Sequence, residues 1–394
     1  MSTTPAELAA RYERIALCLQ GGGALGAYQA GVYQALDEAG VRPTWVAGIS
    51  IGSINAAIIA GNPPERRVAR LREFWETVSH GALPFEAPDL RVLAELWFGD
   101  FSLRGIAGLS AAAHVMLRGQ AGFFEPRMPP PWLRTAGADG ATSFYDTAPL
   151  RATLDRLVDF EHLNFGGVRA TFGAVELESG NFKYFDTGTP EDQPLGVEHV
   201  MASGALPPAF APVAVRGKRY WDGGLVSNTP LEYVLDDEPR RDTLAFQVDL
   251  WSAKGEAPRD ILEVLERQKD IQYSSRTRKG TDRFVQRQNL RRLIQRAIDA
   301  LPPAVRVQPE IARLAEEGCR KVMSVVHLIY QAKAYETHAK DYEFSSIAMR
   351  HHWQAGYDDA RASLARPDFL ARPAGERAAA THDIHRGGAP NAAE

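Results

Sequence analysis

The segment Arg14-Ile15-Ala16-Leu17-Cys18-Leu19-Gln20-Gly21-Gly22-Gly23-Ala24-Leu25-Gly26 decides the fold. A short apolar run that stops at three glycines is how a buried parallel strand enters a tight turn. A helix is expected next, from Ala24 to Ala39, with Tyr28, Val32, Ala35, Leu36 and Ala39 at helical spacing and Gly40 as its stop. The plan then recurs. Thr44-Trp45-Val46-Ala47 reads as a second strand, Gly48 to Gly52 as a turn, and Ile51 to Ala60 as an apolar helix ended by Gly61-Asn62-Pro63-Pro64. Strand, glycine turn and helix, twice in succession, predict an α/β fold with a parallel sheet.

Working outward, residues 66 to 165 read as mostly helical, an insertion or cover broken at Pro129-Pro130-Pro131 and at Gly137-Ala138-Asp139-Gly140. Ala170 to Glu178 and Phe182 to Phe185 flank Ser179-Gly180-Asn181, which is hairpin chemistry, so antiparallel strands join the sheet. Pro212 to Trp221, broken by Gly217-Lys218, and Thr243 to Trp251 add further strands. Beyond Asp260 come long helical segments rich in arginine and glutamine. The stretch from Arg372 to Glu394 has no periodicity and is expected to be disordered.

The 394 residues are 45% hydrophobic, enough to build a core, which excludes a chain disordered throughout. A net charge of −4 gives no global electrostatic reason for a nucleic-acid partner. Cys18 and Cys319 lie far apart, so neither a disulfide framework nor a zinc site is indicated, and a reducing compartment fits. Met1 to Glu13 lacks the basic start and apolar run of a secretory signal, and no run is as long as a membrane span. The chain therefore reads as soluble and cytoplasmic.

Gly48-Ile49-Ser50-Ile51-Gly52 lies between a strand and an apolar helix, where a strained turn needs small residues on both sides of a serine and exposes its Oγ. The helix that starts there aims its N–H groups and dipole at a reacting carbonyl. Gly21-Gly22-Gly23-Ala24-Leu25-Gly26 also satisfies the dinucleotide pattern G-x-G-x-x-G, but the second strand ends in Gly48-Ile49-Ser50 instead of the acid that would hold a ribose. The same glycines can form a concave site for an acyl oxyanion, or simply a tight turn. For a base, Asp222 in Tyr220-Trp221-Asp222-Gly223-Gly224 is selected. A carboxylate beside an aromatic at a strand end loses solvent and gains basicity, although Asp-Gly is also an ordinary turn pair. Among ten histidines, His199 is the nearest before Asp222, but the apolar face of Val197, Val200 and Met201 omits it, and it is expected to be solvated.

The glycine loop, the G-x-S-x-G turn and the later Asp-Gly-Gly, in that order, resemble the patatin-like phospholipases over about residues 12 to 250. The segment Ala202-Ser203-Gly204-Ala205-Leu206-Pro207-Pro208-Ala209-Phe210 is similar to one in that family too. The resemblance implies a three-layer α/β/α serine hydrolase with a Ser-Asp dyad and no histidine. Ser50 is then the nucleophile, flanked by Gly48 and Gly52 in the elbow. Asp222 is the base, with Gly223 and Gly224 completing its motif, and Gly21, Gly22, Gly23 and Gly26 form the oxyanion loop. It implies cleavage of fatty acyl esters of phospholipids and neutral lipids without calcium, with no metal or cofactor. One departure is Leu25, where many members carry arginine or lysine in the loop. Val326 to Phe344 resembles an uncharacterised C-terminal extension of a bacterial subgroup. The expected organisation is a hydrolase domain over 12–255, a mainly helical extension over 256–370, and a tail over 371–394.

Residues 261 to 300 carry ten lysines and arginines against five acids, a local charge of +5 in a chain of −4. With Ile261, Leu262, Val264, Leu265, Leu290, Leu293, Ile294 and Ile298, this stretch either lies on an anionic lipid surface, a peripheral membrane contact, or packs its apolar stripe on the α/β domain; packing is preferred. An acyl-binding wall is available from Leu96-Trp97-Phe98, Met116-Leu117 and Phe123-Phe124, although ordinary core packing accounts for most of these. The favoured activity is lipid acyl ester hydrolysis, with no nucleic-acid partner. A polyester or acyl-thioester hydrolase, a nucleotide-binding protein and a non-catalytic membrane-binding protein are the alternatives.

Overall fold

A computed structural model describes residues 3–79, 115–274, 277–332, 340–375 and 377–385. Its strands are β1 Arg14–Leu19, β2 Trp45–Ile49, β3 Glu125–Pro126, β4 Tyr145–Asp146, β5 Arg169–Glu176, β6 Phe182–Asp186, β7 Val213–Val215, β8 Lys218–Asp222, β9 Thr243–Asp249, β10 Met323–Ile329 and β11 Ala379–Asp383. Nine of them form one sheet in the order β11-β10-β9-β1-β2-β5-β8-β7, with β6 also on β5; β3 and β4 pair separately. From β11 to β5 every pairing is parallel, while β6, β8 and β7 are antiparallel additions.

The two-strand reading of the N-terminus and the Ser179-Gly180-Asn181 hairpin are both realised. β1 is central, and its alternating side chains enter two separate cores. Leu17 and Leu19 join the larger cluster, with the helices Ala27–Glu38 and Ile51–Ala60. Ala16 and Cys18 join the smaller one on the opposite face, with Leu231, Val234 and Phe284. Helices cover both faces, which is why the strands are apolar throughout rather than alternating. Because Leu19 pairs with Gly48 across the parallel β1–β2 ladder, the loops leaving the two strands lie side by side at the carboxyl edge of the sheet.

Three expectations change. The long helix begins at Ala27 rather than Ala24, because Gly23–Gly26 forms a 3₁₀ turn first. The cover over 66–165 is helical at Pro64–Ser79, Ala148–Leu157 and Phe160–Phe165, but between 115 and 147 it is largely turns and the small β3–β4 pair; Leu96-Trp97-Phe98 lies outside the described residues. The C-terminal portion is not separate from the sheet. β10 extends it beside β9, and β11, inside the tail expected to be disordered, pairs with β10 from Met323↔Ala379 to His327↔Asp383. The apolar Val325, Val326, Leu328 and Ile329 mark β10 as a strand covered on both faces. The basic helix Thr277–Ala300 buries Phe284, Gln288 and Ile298, leaves Leu290 and Leu293 exposed, and sends Arg287 and Arg291 to Asp236. Among the described residues no helix is long and apolar enough to cross a membrane.

The last long helix, Ser346–Leu364, lies directly on Ala27–Glu38, and two glycines set the approach. A Cβ on Gly31 would fall 1.9 Å from the carbonyl oxygen of Trp353, and one on Gly356 would fall 2.0 Å from that of Tyr28. The backbones touch, so no side chain can yield to make room. Gly31→Val and Gly356→Val are each expected to cost about 3 kcal/mol or more, the top of the ordinary range for overpacking, as read from denaturant unfolding midpoints. Gly280, in the basic helix, is the contrasting case: its Cβ would meet nothing nearer than Glu232 Oε1 at 3.9 Å, so Gly280→Ala should be neutral or stabilising by up to about 1 kcal/mol in the same measurement.

Candidate active site

Ser50 directly follows β2 and opens the helix Ile51–Ala60. Its backbone is at φ 56° and ψ −125°, a region that non-glycine residues occupy only when their surroundings hold them there. The neighbouring glycines explain how the turn closes. A Cβ on Gly48 would sit 2.2 Å from the carbonyl oxygen of Gly52, and one on Gly52 would sit 2.3 Å from that of Leu19.

Ser203 secures the turn from a third element. The Ser50 amide donates to Ser203 Oγ at 3.1 Å, and Ser203 Oγ lies 2.7 Å from Ser53 Oγ and donates to the Gly173 carbonyl at 2.5 Å. A hydroxyl has one proton and two lone pairs, so donating to Gly173 leaves it accepting from both Ser50 and Ser53, and its capacity is filled. Ser203 is fully buried. It belongs to the family-like segment quoted above, yet nothing in that segment alone reveals whose amide it serves.

Asp222 ends β8 and is 1% exposed. Its Oδ1 accepts the Gly224 amide at 2.7 Å, and its own amide donates to the Ala205 carbonyl at 3.0 Å. Gly223 is required by close approach, since a Cβ there would meet the Gly173 carbonyl oxygen at 2.6 Å. Burial pushes the Asp222 carboxyl from 3.8 up to about 6, with the Ser50 hydroxyl and the Gly224 amide pulling the other way. The Ser50 hydroxyl is thus close enough to favour the ionised form, while Oδ2 is buried without a completed hydrogen bond. Both residues line one cavity that opens to solvent.

The glycine loop borders the same cavity through Gly21, Gly22 and Gly23. Gly21 is fastened on both sides of its peptide group: its amide donates to Asn228 Oδ1 at 3.1 Å, and its carbonyl accepts from Asn228 Nδ2 at 3.0 Å and Trp251 Nε1 at 2.8 Å. That use of the Gly21 amide leaves those of Gly22 and Gly23 without a partner among the described residues, and the amide of Ile51 at the helix start is likewise unpaired among them. Gly23, at φ 57°, has to lack a Cβ, because one there would meet the Asp341 carbonyl oxygen at 2.3 Å. Gly26 does not line the cavity; it admits Ile51 and Trp75 instead. Leu25 is buried in the large core, so at this position the loop offers packing and no cation.

The remaining walls are largely apolar: Ile51, Ile54, Phe123, Phe124, Leu150, Leu206, Ala209 and Phe210, closed by Trp251, Tyr273, Asp341, Tyr342 and Phe344. Phe123 and Phe124 therefore are wall residues, whereas Met116 and Leu117 are exposed. The missed residues are Ser203, Asn228, Trp251 and the C-terminal group at 341–344, which only the sheet's extension brings to the site. His199 is corrected: it is 2% exposed, held against Phe185 with ring centroids 4.9 Å apart, and its Nδ1 accepts the Gly196 amide at 2.9 Å. Desolvation lowers its pKa, and it does not line the cavity. The Phe185 ring packed against His199 takes the place of solvent there.

The patatin-like phospholipase family model matches residues 17–235, more than half of the chain. The chain belongs to that family. A second model, described as patatin phospholipase, matches residues 271–376, so the family's signature extends into the portion that carries β10 and the wall at 341–344. No curated protein matches the chain by sequence. Similar solved structures include VipD from Legionella pneumophila, at 16% identity and a TM-score of 0.37 over 89% of this chain and 66% of that one. Another is the type III effector protein ExoU, at 14% identity and a TM-score of 0.29 over 91% of this chain and 54% of that one. The chain thus spans just under two thirds of the first and about half of the second.

The buried carboxyl has a consequence for stability. Its folded-state pKa, about 6, lies above the ordinary 3.8, so the folded form takes up the proton first and ionisation opposes folding. The penalty is absent below about pH 4, grows as the pH rises to about 6, and is complete above that. Asp222→Asn, neutral at every pH, is expected to be more stable than the parent by about 3 kcal/mol at pH 7.5 and no more stable at about pH 3.5. Denaturant unfolding of both proteins at the two pH values measures it.

Proposed function

We propose that this patatin-like protein is a serine lipid acyl hydrolase that cleaves fatty acyl esters through a Ser50–Asp222 dyad and an acyl-enzyme. The observation that supports the reading best is the meeting, in one apolar cavity, of a serine held in a strained turn and a buried carboxyl with an unbonded oxygen. Asp222 Oδ2 takes the proton of Ser50 as Oγ attacks the ester carbonyl. The negative charge that develops on the carbonyl oxygen is met by the amides of Gly22 and Gly23 and by the start of the helix Ile51–Ala60. Collapse of the intermediate breaks the bond to the alcohol, which leaves with the proton from Asp222. Asp222 then deprotonates a water that attacks the acyl-enzyme, and Ser50 is restored.

The raised pKa serves this cycle. A carboxyl near pKa 6 is a better base than a free one and a competent acid toward the departing alcohol, and it is still ionised at neutral pH. The apolar walls fit an acyl chain.

On short- and medium-chain nitrophenyl esters, Ser50→Ala and Asp222→Asn are each expected to lower kcat by about 10³-fold or more. The parent's kcat/KM should rise through about pH 6 to a plateau. Full esterase activity in Ser50→Ala contradicts the assignment.

A further inference from the structure

We infer that the C-terminal portion of the chain sets the acyl-chain length this enzyme accepts, with Phe344 as the specificity-determining side chain. The inference rests on the proposed ester hydrolysis and adds what decides among its substrates. Phe344 lines the cavity and is 4% exposed. Its ring centroid is 5.7 Å from that of Phe123, which is 6.2 Å from that of Phe210, so three aromatic rings from three distant parts of the sequence make one continuous apolar wall. An acyl chain makes no hydrogen bonds, so its length can be discriminated only by where such a wall stops it.

Phe344 is anchored from both sides, as a residue that measures length has to be. On its N-terminal side, Lys269 Nζ holds both carboxylate oxygens of Asp341, at 2.8 and 2.9 Å. Lys340, itself 3% exposed, reaches Glu266 and Asp270, each at 2.9 Å. These pairs fasten the 340–342 turn to the helix Ile261–Tyr273, and the Asp341 carbonyl rests on Gly23 of the glycine loop. On its C-terminal side, Ser345 caps the helix Ser346–Leu364, accepting the Ala348 amide at 3.2 Å, and that helix is locked to Ala27–Glu38 through Gly31 and Gly356. With the backbone held on both sides and the ring buried against Phe123, Phe344 resists moving aside to admit a longer chain.

The test is the ratio of kcat/KM for dodecanoyl and butanoyl nitrophenyl esters in the full-length parent, Phe344→Ala and Phe344→Trp. Each methylene newly accommodated is worth about fourfold, so the ratio should rise at least about fivefold in Phe344→Ala and fall in Phe344→Trp. Should the alanine variant not fold, Phe344→Leu reads the same ratio in the same direction. A ratio unchanged in both the enlarged and the narrowed cavity, with melting temperatures at the parental value, overturns the role of Phe344 while leaving the dyad standing. Absence of Ser50-dependent esterase activity in the parent instead removes the reading on which the inference rests.

Discussion

The strained turn at Ser50 is the constraint on which the rest of the structure depends. A non-glycine residue at positive φ costs about 1–3 kcal/mol and persists only where its surroundings leave no alternative. Here those surroundings are the contact of Gly48 with Gly52, the approach of Gly52 to the end of β1, and the hydroxyl of Ser203 beneath the Ser50 amide. The second of these depends on the parallel β1–β2 pair being in its observed register, in which Leu19 lies opposite Gly48. Ser50 is thus held by elements that meet at the carboxyl edge of the sheet.

The same edge explains the basicity of Asp222. β8 runs antiparallel to β5 and delivers the carboxyl into a cavity floored by the glycine loop and walled by aromatic rings. In the proposed reaction, the apolar surroundings that would take an acyl chain are also those that raise the carboxyl's pKa, so substrate binding and base strength would share a single physical cause, exclusion of water. Ionisation of that carboxyl opposes folding, a cost offset by the two hydrophobic cores on either side of the sheet.

Much of this was legible in the sequence. Apolar runs ending in glycines identify β1 and β2, because a doubly covered strand has no polar face to display. Gly48, Ser50, Gly52, Asp222 and Gly223 stand out because close approach and strain restrict those positions to particular residue types. Asn228 and Ser203 were not legible: an asparagine that clamps a loop and a serine that holds an amide look like any others until distant strands bring them there. The strand pairing of β10 with β11 and the wall at Phe344 escaped for the same reason, since a run such as Val325 to Ile329 states that it is buried but not beside which strand. His199 misled because a helical face judged from Val197, Val200 and Met201 takes no account of the Phe185 ring that covers it.

The measurement that tests the central claim most directly is reaction of the full chain with a fluorophosphonate, followed by intact and peptide mass, in the parent, Ser50→Ala and Asp222→Asn. The account predicts one adduct, on Ser50, forming in the parent and not in Ser50→Ala, and slowed at least about 10²-fold in Asp222→Asn. An adduct on another serine, or labelling of Ser50 that is indifferent to Asp222, contradicts it.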